Sequence, residues 1–161
     1  MRARLALTIL ALVAGAAGAY AAGAASGQSS PTAVREALAQ AVSPSGARGE
    51  TLGLSRVVIP PRAQLALHVH PGTQIAYIDK GTLTYTVRTG AVNVYRGQAD
   101  KGPRLVRRIT AGHTAKIRAG QWVIEKPHVQ HFGANRSAKP IVILAATLLK
   151  NGQPPAIPVQ G

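Results

Sequence analysis

His68-Val69-His70-Pro71-Gly72-Thr73-Gln74 carries two imidazoles and a side-chain amide in one short stretch, and His131-Phe132-Gly133-Ala134-Asn135 answers it far downstream. Side chains alternate across a β-strand, so His68 and His70 leave the same face and can grip one ion as neighbouring ligands. Pro71-Gly72 turns the chain. Gln74 then opens an extended run, Gln-Ile-Ala-Tyr-Ile, and can return its amide oxygen to the face the histidines occupy. The candidate metal ligands are therefore His68, His70, Gln74 and His131. Imidazole suits iron, manganese, zinc and nickel alike, so the pattern implies one divalent ion without naming it.

Such ligands need short strands to converge them, and from Glu50 onward the chain reads as strands. Apolar and polar residues alternate over Thr51 to Ile59, Ala63 to Val69, Thr73 to Ile78, Thr82 to Arg88 and Ala91 to Tyr95. Further strands are read over Leu105 to Ile109, Thr114 to Ile117, Trp122 to Glu125, Val129 to Phe132 and Ile141 to Leu149. Turn signals separate them, with Asp79-Lys80-Gly81 the strongest because Gly81 is free to take a positive φ. Short strands at regular spacing predict an all-β sandwich or closed barrel. Tyr95 to Arg104, containing Gly97, Gly102 and Pro103, is expected to loop out at the barrel mouth.

With the spacing and the strand pattern together, residues 50 to 150 resemble a single-domain cupin. The family's first motif reads G, five residues, HxH, three or four residues, E, six residues, G; here His68, His70, Gln74 and Gly81 stand in it. The second runs from a G through a P and a G to an H, three residues and an N; here Gly120, Pro127, His131 and Asn135 stand in it. Arg62 occupies the first glycine's place, Gln74 replaces the usual glutamate, and the Pro127-His128-Val129 corner lacks the inner glycine. The resemblance implies a double-stranded β-helix, or jelly-roll barrel, holding a metal ion. It also implies either a metal-dependent enzyme (oxygenase, isomerase or lyase) or a non-catalytic module that binds a small molecule or carbohydrate on the same barrel.

Gln74 is the departure with chemical consequences. A glutamate would bring a negative charge to the ion, whereas a glutamine offers a neutral oxygen and leaves the ion's charge unmatched among neutral imidazoles. Such a site favours an anionic ligand and lacks the family's carboxylate base. Gln74 either ligates directly or stays an interior hydrogen-bonding residue beside three histidine ligands. No catalytic residue is assigned. His128 falls off the His131 face and reads as a rim residue, His113 sits in a turn, and Tyr77 and Tyr85 read as packing residues. No GxSxG, cysteine nucleophile or Gly-rich phosphate loop occurs, so those reaction classes find no support.

The remaining sequence sets the context. Residues 1–24 have the three parts of a cleaved signal peptide: Arg2 and Arg4, an apolar run from Leu5 to about Gly18, and small residues after it. This implies a periplasmic or secreted protein with no stable membrane span once the leader is removed. The chain has no cysteine, so it makes no disulfide. Residues 25–49 read as a short N-terminal helix and linker: Ser30 caps, Pro31 takes the first helical position, and Val34, Leu38 and Val42 share one stripe. Residues 151–161, with three prolines, read as an extended arm or loose end. Of 161 residues 19 are Lys or Arg and 5 are Asp or Glu, giving a net charge of +14 that attracts anionic partners. Nucleic acid is not among them, because only Arg104, Arg107 and Arg108 cluster and no aromatics interleave with them. The expected partners are a small anionic ligand and a second copy of the chain, since Ile141 to Leu149 is apolar on both faces.

Overall fold

The computed structural model describes residues 32–160. The expected signal peptide and the proposed capping pair Ser30-Pro31 lie outside them. Twelve strands form two antiparallel sheets: β1 (Val34–Val42), β2 (Glu50–Ile59), β3 (His68–Val69), β4 (Thr73–Lys80), β5 (Thr82–Val87), β6 (Ala91–Arg96), β7 (Arg104–Thr110), β8 (Thr114–Arg118), β9 (Gln121–Glu125), β10 (His131–Ala134), β11 (Ile141–Lys150) and β12 (Ile157–Pro158). One sheet has the order β1-β2-β11-β4-β9-β6-β7 and the other β12-β3-β10-β5-β8. Their inward faces meet in an aliphatic core that includes Ile59, Ile78, Val87, Val92, Ile117 and Ile141. Among the described residues no helix is long and apolar enough to cross a membrane.

The short N-terminal helix expected over Ser30 to Val42 is not formed. Val34–Val42 is a strand instead, paired with β2 from Val34↔Val58 to Val42↔Thr51 with an irregularity between Ala37 and Ala39. The Val34, Leu38, Val42 stripe that suggested a helix buries nothing in the chain, with exposures of 62%, 38% and 60%. Backbone pairing to an already formed sheet edge outweighs so weak a helical signal. The strand expected over Ala63 to Val69 is reduced to His68–Val69 and an isolated bridge, Gln64↔Ala134. The expected Tyr95 to Arg104 loop retains a single turn of 3-10 helix, Ala99–Lys101.

The C-terminal tail is not loose. β12 pairs antiparallel with β3, Ile157↔Val69 and Pro158↔His68, and the Val159 N–H donates to Leu67 O at 2.9 Å. Two departures from the cupin motifs also have a backbone account. Arg62, in the place of a glycine, has φ 64°, and His128, in the corner without its glycine, also has φ 64°. Both take the left-handed conformation that glycine adopts without steric cost. Gly81 turns at φ 86°, and a Cβ there would lie 3.1 Å from Ile141 Cγ1, so its glycine is needed for conformation and for space.

Candidate metal centre

The two sheets contribute different chemistry to one spot. The five-stranded sheet supplies His68 on β3, His131 on β10 and Tyr85 on β5; His131 sits opposite His68, and Gly133, two residues on, sits opposite Tyr85. His70 follows β3 directly. The seven-stranded sheet supplies Gln74 on β4 and Glu125 on β9, which face each other in register, and Arg35 on β1. His68, His70 and His131 are thereby brought together, with ring centroids 4.4 to 5.1 Å apart and one ring nitrogen from each within 4.8 Å of the others.

Each imidazole is held by its other nitrogen. Nδ1 of His68 donates to Ala66 O at 2.8 Å, Nδ1 of His131 to Val129 O at 2.9 Å, and Nδ1 of His70 to Pro155 O at 2.6 Å. A carbonyl oxygen only accepts, so Nδ1 carries a proton in all three rings and Nε2 is left as the reactive nitrogen. Backbone carbonyls that fix the tautomer and the ring orientation in this way are the usual outer partners of metal-bound histidines.

Glu125 was absent from the ligand set expected from the sequence, yet it lies at the centre. It is fully buried, with its carboxylate oxygens 3.2 Å from His70 Nε2 and 3.2 Å from His131 Nε2. Gln74 Nε2 donates to Glu125 Oε2 at 2.6 Å and Tyr85 OH donates to Oε1 at 2.8 Å. Tyr85 therefore does more than pack: it also stacks on His131, with centroids 5.2 Å apart. Gln74 turns its amide nitrogen, not its oxygen, toward the cluster, 3.2 Å from His70 Nε2, while Oε1 accepts from Arg35 Nη2 at 3.3 Å. That orientation is forced, because a guanidinium can only donate and a carboxylate can only accept.

The charges follow from these contacts. Burial raises the Glu125 carboxyl pKa, but the His131 and His70 rings beside it outweigh that and hold it well below the usual carboxylate range. Burial lowers the His131 pKa, and the Glu125 charge and hydrogen bond outweigh it to raise the ring above its ordinary value. His68 lies farther from the carboxylate; burial, reinforced by His131, brings it down to about 4. An Nε2 facing a carboxylate oxygen at 3.2 Å requires something positive between them. A proton on His131 meets the requirement for that ring alone, whereas a divalent cation held by both Nε2 atoms would meet it for His70 as well. Three imidazole nitrogens and one carboxylate are a donor set that zinc, iron, manganese or nickel accepts, so the residues fit a metal ion.

The other motif residues serve the frame. Asn135 is wholly buried, and its Nδ2 donates to the carbonyls of Ile59, Pro60 and Lys139 at 2.8 to 3.0 Å, pinning the end of β10 to the end of β2. His113, His128, Arg104, Arg107 and Arg108 are exposed and take no part. Glu125 could have been found in the sequence: alternation through Gln121–Glu125 turns it inward, and a chain with 5 acidic residues rarely buries one without use.

No protein-family model matches the chain, and no curated protein does. Solved structures do match in fold. A cupin 2 domain-containing protein from Halorhodospira halophila has 12% identity and a TM-score of 0.51, over 80% of this chain and 71% of that one. A cupin-like protein from Thermotoga maritima has 18% identity and a TM-score of 0.49 over 80% and 77% of the two chains. A Klebsiella pneumoniae protein with a double-stranded β-helix domain has 17% identity and a TM-score of 0.47 over 83% and 89%. With two antiparallel sheets enclosing a histidine cluster, and a cupin 2 domain structure aligned over four-fifths of its length, the chain has the cupin fold, as one double-stranded β-helix.

Proposed function

We propose that this is an exported metal-binding protein in which His68, His70 and His131 hold one divalent ion with Glu125 beside them, and that it is a metal-dependent enzyme acting on a small anionic molecule. The observation that carries the reading is the common orientation of the three rings: every Nδ1 is spent on a backbone carbonyl, and the Nε2 atoms of His70 and His131 face a carboxylate. A bound ion of this kind supplies Lewis acidity and an open coordination position, the basis of oxygenase, isomerase or lyase chemistry. Glu125, kept ionised by its neighbours, restores to the site the carboxylate that Gln74 withdraws, and it gives a substrate proton an acceptor. Gln74 and Tyr85 hold that carboxylate in place.

A second reading is a binding module without turnover, in which the chamber of about 50 Å³ beside the histidines captures a ligand of a few heavy atoms. The enzyme reading requires the ion, and ligand binding that survives its removal favours the binding module. Elemental analysis of the full chain after dialysis against iron(II), manganese, zinc or nickel is expected to give one ion per chain, lost in His68→Ala and His131→Ala. A chain that retains no stoichiometric metal under any loading refutes the site. Oxygen uptake or turnover by the loaded protein with short carboxylates separates enzyme from binder.

Export rests on the Arg2, Arg4 start and the apolar run to about Gly18; a mature N-terminus between about Ala19 and Ser26 in the secreted or periplasmic fraction is the expected result. We also propose that the protein is a homodimer, joined through the outer face of the seven-stranded sheet.

A further inference from the structure

Among the described residues lining the chamber, Arg35 is the only lysine or arginine. It comes from β1, where its pairing with Val57 turns it inward while Val34 and Glu36 on either side stay exposed. One guanidinium nitrogen, Nη2, donates to Gln74 Oε1 at 3.3 Å. The other, Nη1, is shielded from solvent and has no hydrogen-bond partner among the described residues. A guanidinium keeps its charge and all its donors at any working pH, so the buried Nη1 without an acceptor is costly unless a ligand supplies one.

Two spaces meet at this side chain. Inward lies the chamber of about 50 Å³, with His68, His131 and Glu125 in its walls. Outward lies a polar vestibule of about 440 Å³ between β1, β2 and the C-terminal tail. Arg35 lines both. The chamber holds the equivalent of about three to five waters, which limits a ligand to a few heavy atoms. Its other walls, among them Val57, Ile78, Leu83 and Ile143, are apolar, so they suit a ligand with one charged end. The negative charge of Glu125 in the same chamber disfavours a dianion such as phosphate.

We propose that Arg35 is the carboxylate-recognising residue of this site and that the substrate class is a short-chain carboxylate of one to three carbons, its carboxylate on Arg35 and its other end toward the histidines. The planar fork of a guanidinium matches the planar carboxylate in geometry as well as charge. The assignment rests on the metal reading for what the far end of the ligand meets, and on Arg35 alone for recognition.

The test uses the full chain loaded with cobalt(II), whose visible spectrum reports the histidine site, titrated with acetate, acetamide and phosphate. Acetate seated on Arg35 is expected to displace solvent beside the ion and so change the spectrum saturably, and acetamide to leave it unchanged. Arg35→Gln is expected to weaken acetate by about tenfold or more at unchanged cobalt stoichiometry, with Arg35→Lys between the two. If Arg35→Gln binds acetate as the natural chain does, or if acetamide or phosphate binds as well as acetate, the assignment of Arg35 is overturned while the metal centre stands. If cobalt does not bind, the metal centre falls. A carbon-13 NMR titration of the metal-free chain with labelled acetate then decides Arg35 by the same comparison: Arg35-dependent broadening supports the assignment, and equal behaviour of natural and variant chains overturns it.

Discussion

Gln74 and Glu125 stand opposite each other on adjacent strands, in contact through a 2.6 Å hydrogen bond, so a carboxylate lies across the strand pair from the place the cupin motif gives it. Gln74→Glu alone would press two carboxylates together, and like charges at that distance must share a proton. The expected result is a thermal midpoint lowered at neutral pH and partly restored on mild acidification. Glu125→Gln alone is expected to weaken metal binding, because no anion remains among the imidazoles. The double variant Gln74→Glu/Glu125→Gln returns the charge from the facing position and is expected to recover most of the affinity, as read by competition with a coloured chelator. A double variant no better than Glu125→Gln would show that the position of the carboxylate, and not its presence, matters. His68 makes a separate prediction. Its pKa falls from 6.5 to about 4 on folding, so it contributes stability that is complete above about 6.5 and is lost as pH falls toward 4. His131 has the opposite sign: its raised pKa contributes below its ordinary value and fades as pH rises. Thermal unfolding of the metal-free chain is therefore expected to weaken from pH 6.5 to 4, and His68→Gln to flatten that slope. A slope unchanged in His68→Gln would remove the assignment.

At the level of elements, the strands from β2 to β11 were legible apart from the shortened β3, and their pairing was not. Alternation locates β4, β9 and β10 to within a residue or two and orients Gln74 and Glu125 inward. Only the sheet order, β4 beside β9, places the two side chains in contact, and no local pattern encodes which of several similar strands become neighbours. β1 was misread for a related reason. It is an edge strand with Arg35 as its one half-buried residue, so it lacks the period-two burial that marks a strand, and Ala-rich spacing imitates a helix. The tail was read as extended but its pairing was not foreseen, because proline-rich composition signals extension without signalling a partner. Its role is testable, since Pro155 O accepts from His70 Nδ1 at 2.6 Å and β12 pairs with the strand bearing His68. A chain ending at Gln153 loses both supports and is expected to bind metal 10–100-fold more weakly, about the effect of removing an outer partner of a metal ligand. Isothermal titration with zinc measures it, and unchanged affinity would mean that the tail is incidental to the site.

For the whole molecule, the outer face of the seven-stranded sheet has a pattern that the inner chemistry does not explain. Cross-strand neighbours form apolar rows: Leu144, Tyr77, Trp122, Tyr95 and Leu105 in one, Leu54, Ala146, Ile75 and Ile124 in the next, and Leu52 with Leu148 beyond. Ile75, Tyr77, Leu52, Leu54 and Leu148 are each more than a third exposed. The eleven side chains stand on six strands about 4.8 Å apart, in rows about 7 Å apart, and make a patch of roughly 370 Å², the size at which an apolar patch is often functional and nearly half of what each partner of a stable pair buries. The rows hold no charge, and Arg56 at their margin is already paired with Glu36 at 2.8 Å. In a chain of net charge +14 this is the face on which two copies can meet without like-charge repulsion. Sheet packed on identical sheet about a two-fold axis closes the assembly and leaves both chambers and vestibules free. Light scattering at micromolar concentration is expected to give twice the chain mass, and Ile75→Lys, at the centre of the patch, to give the monomer with its metal content intact. A monodisperse monomer of the natural chain overturns the dimer; if that monomer adsorbs to anionic vesicles and Ile75→Lys does not, the same face is a membrane contact instead.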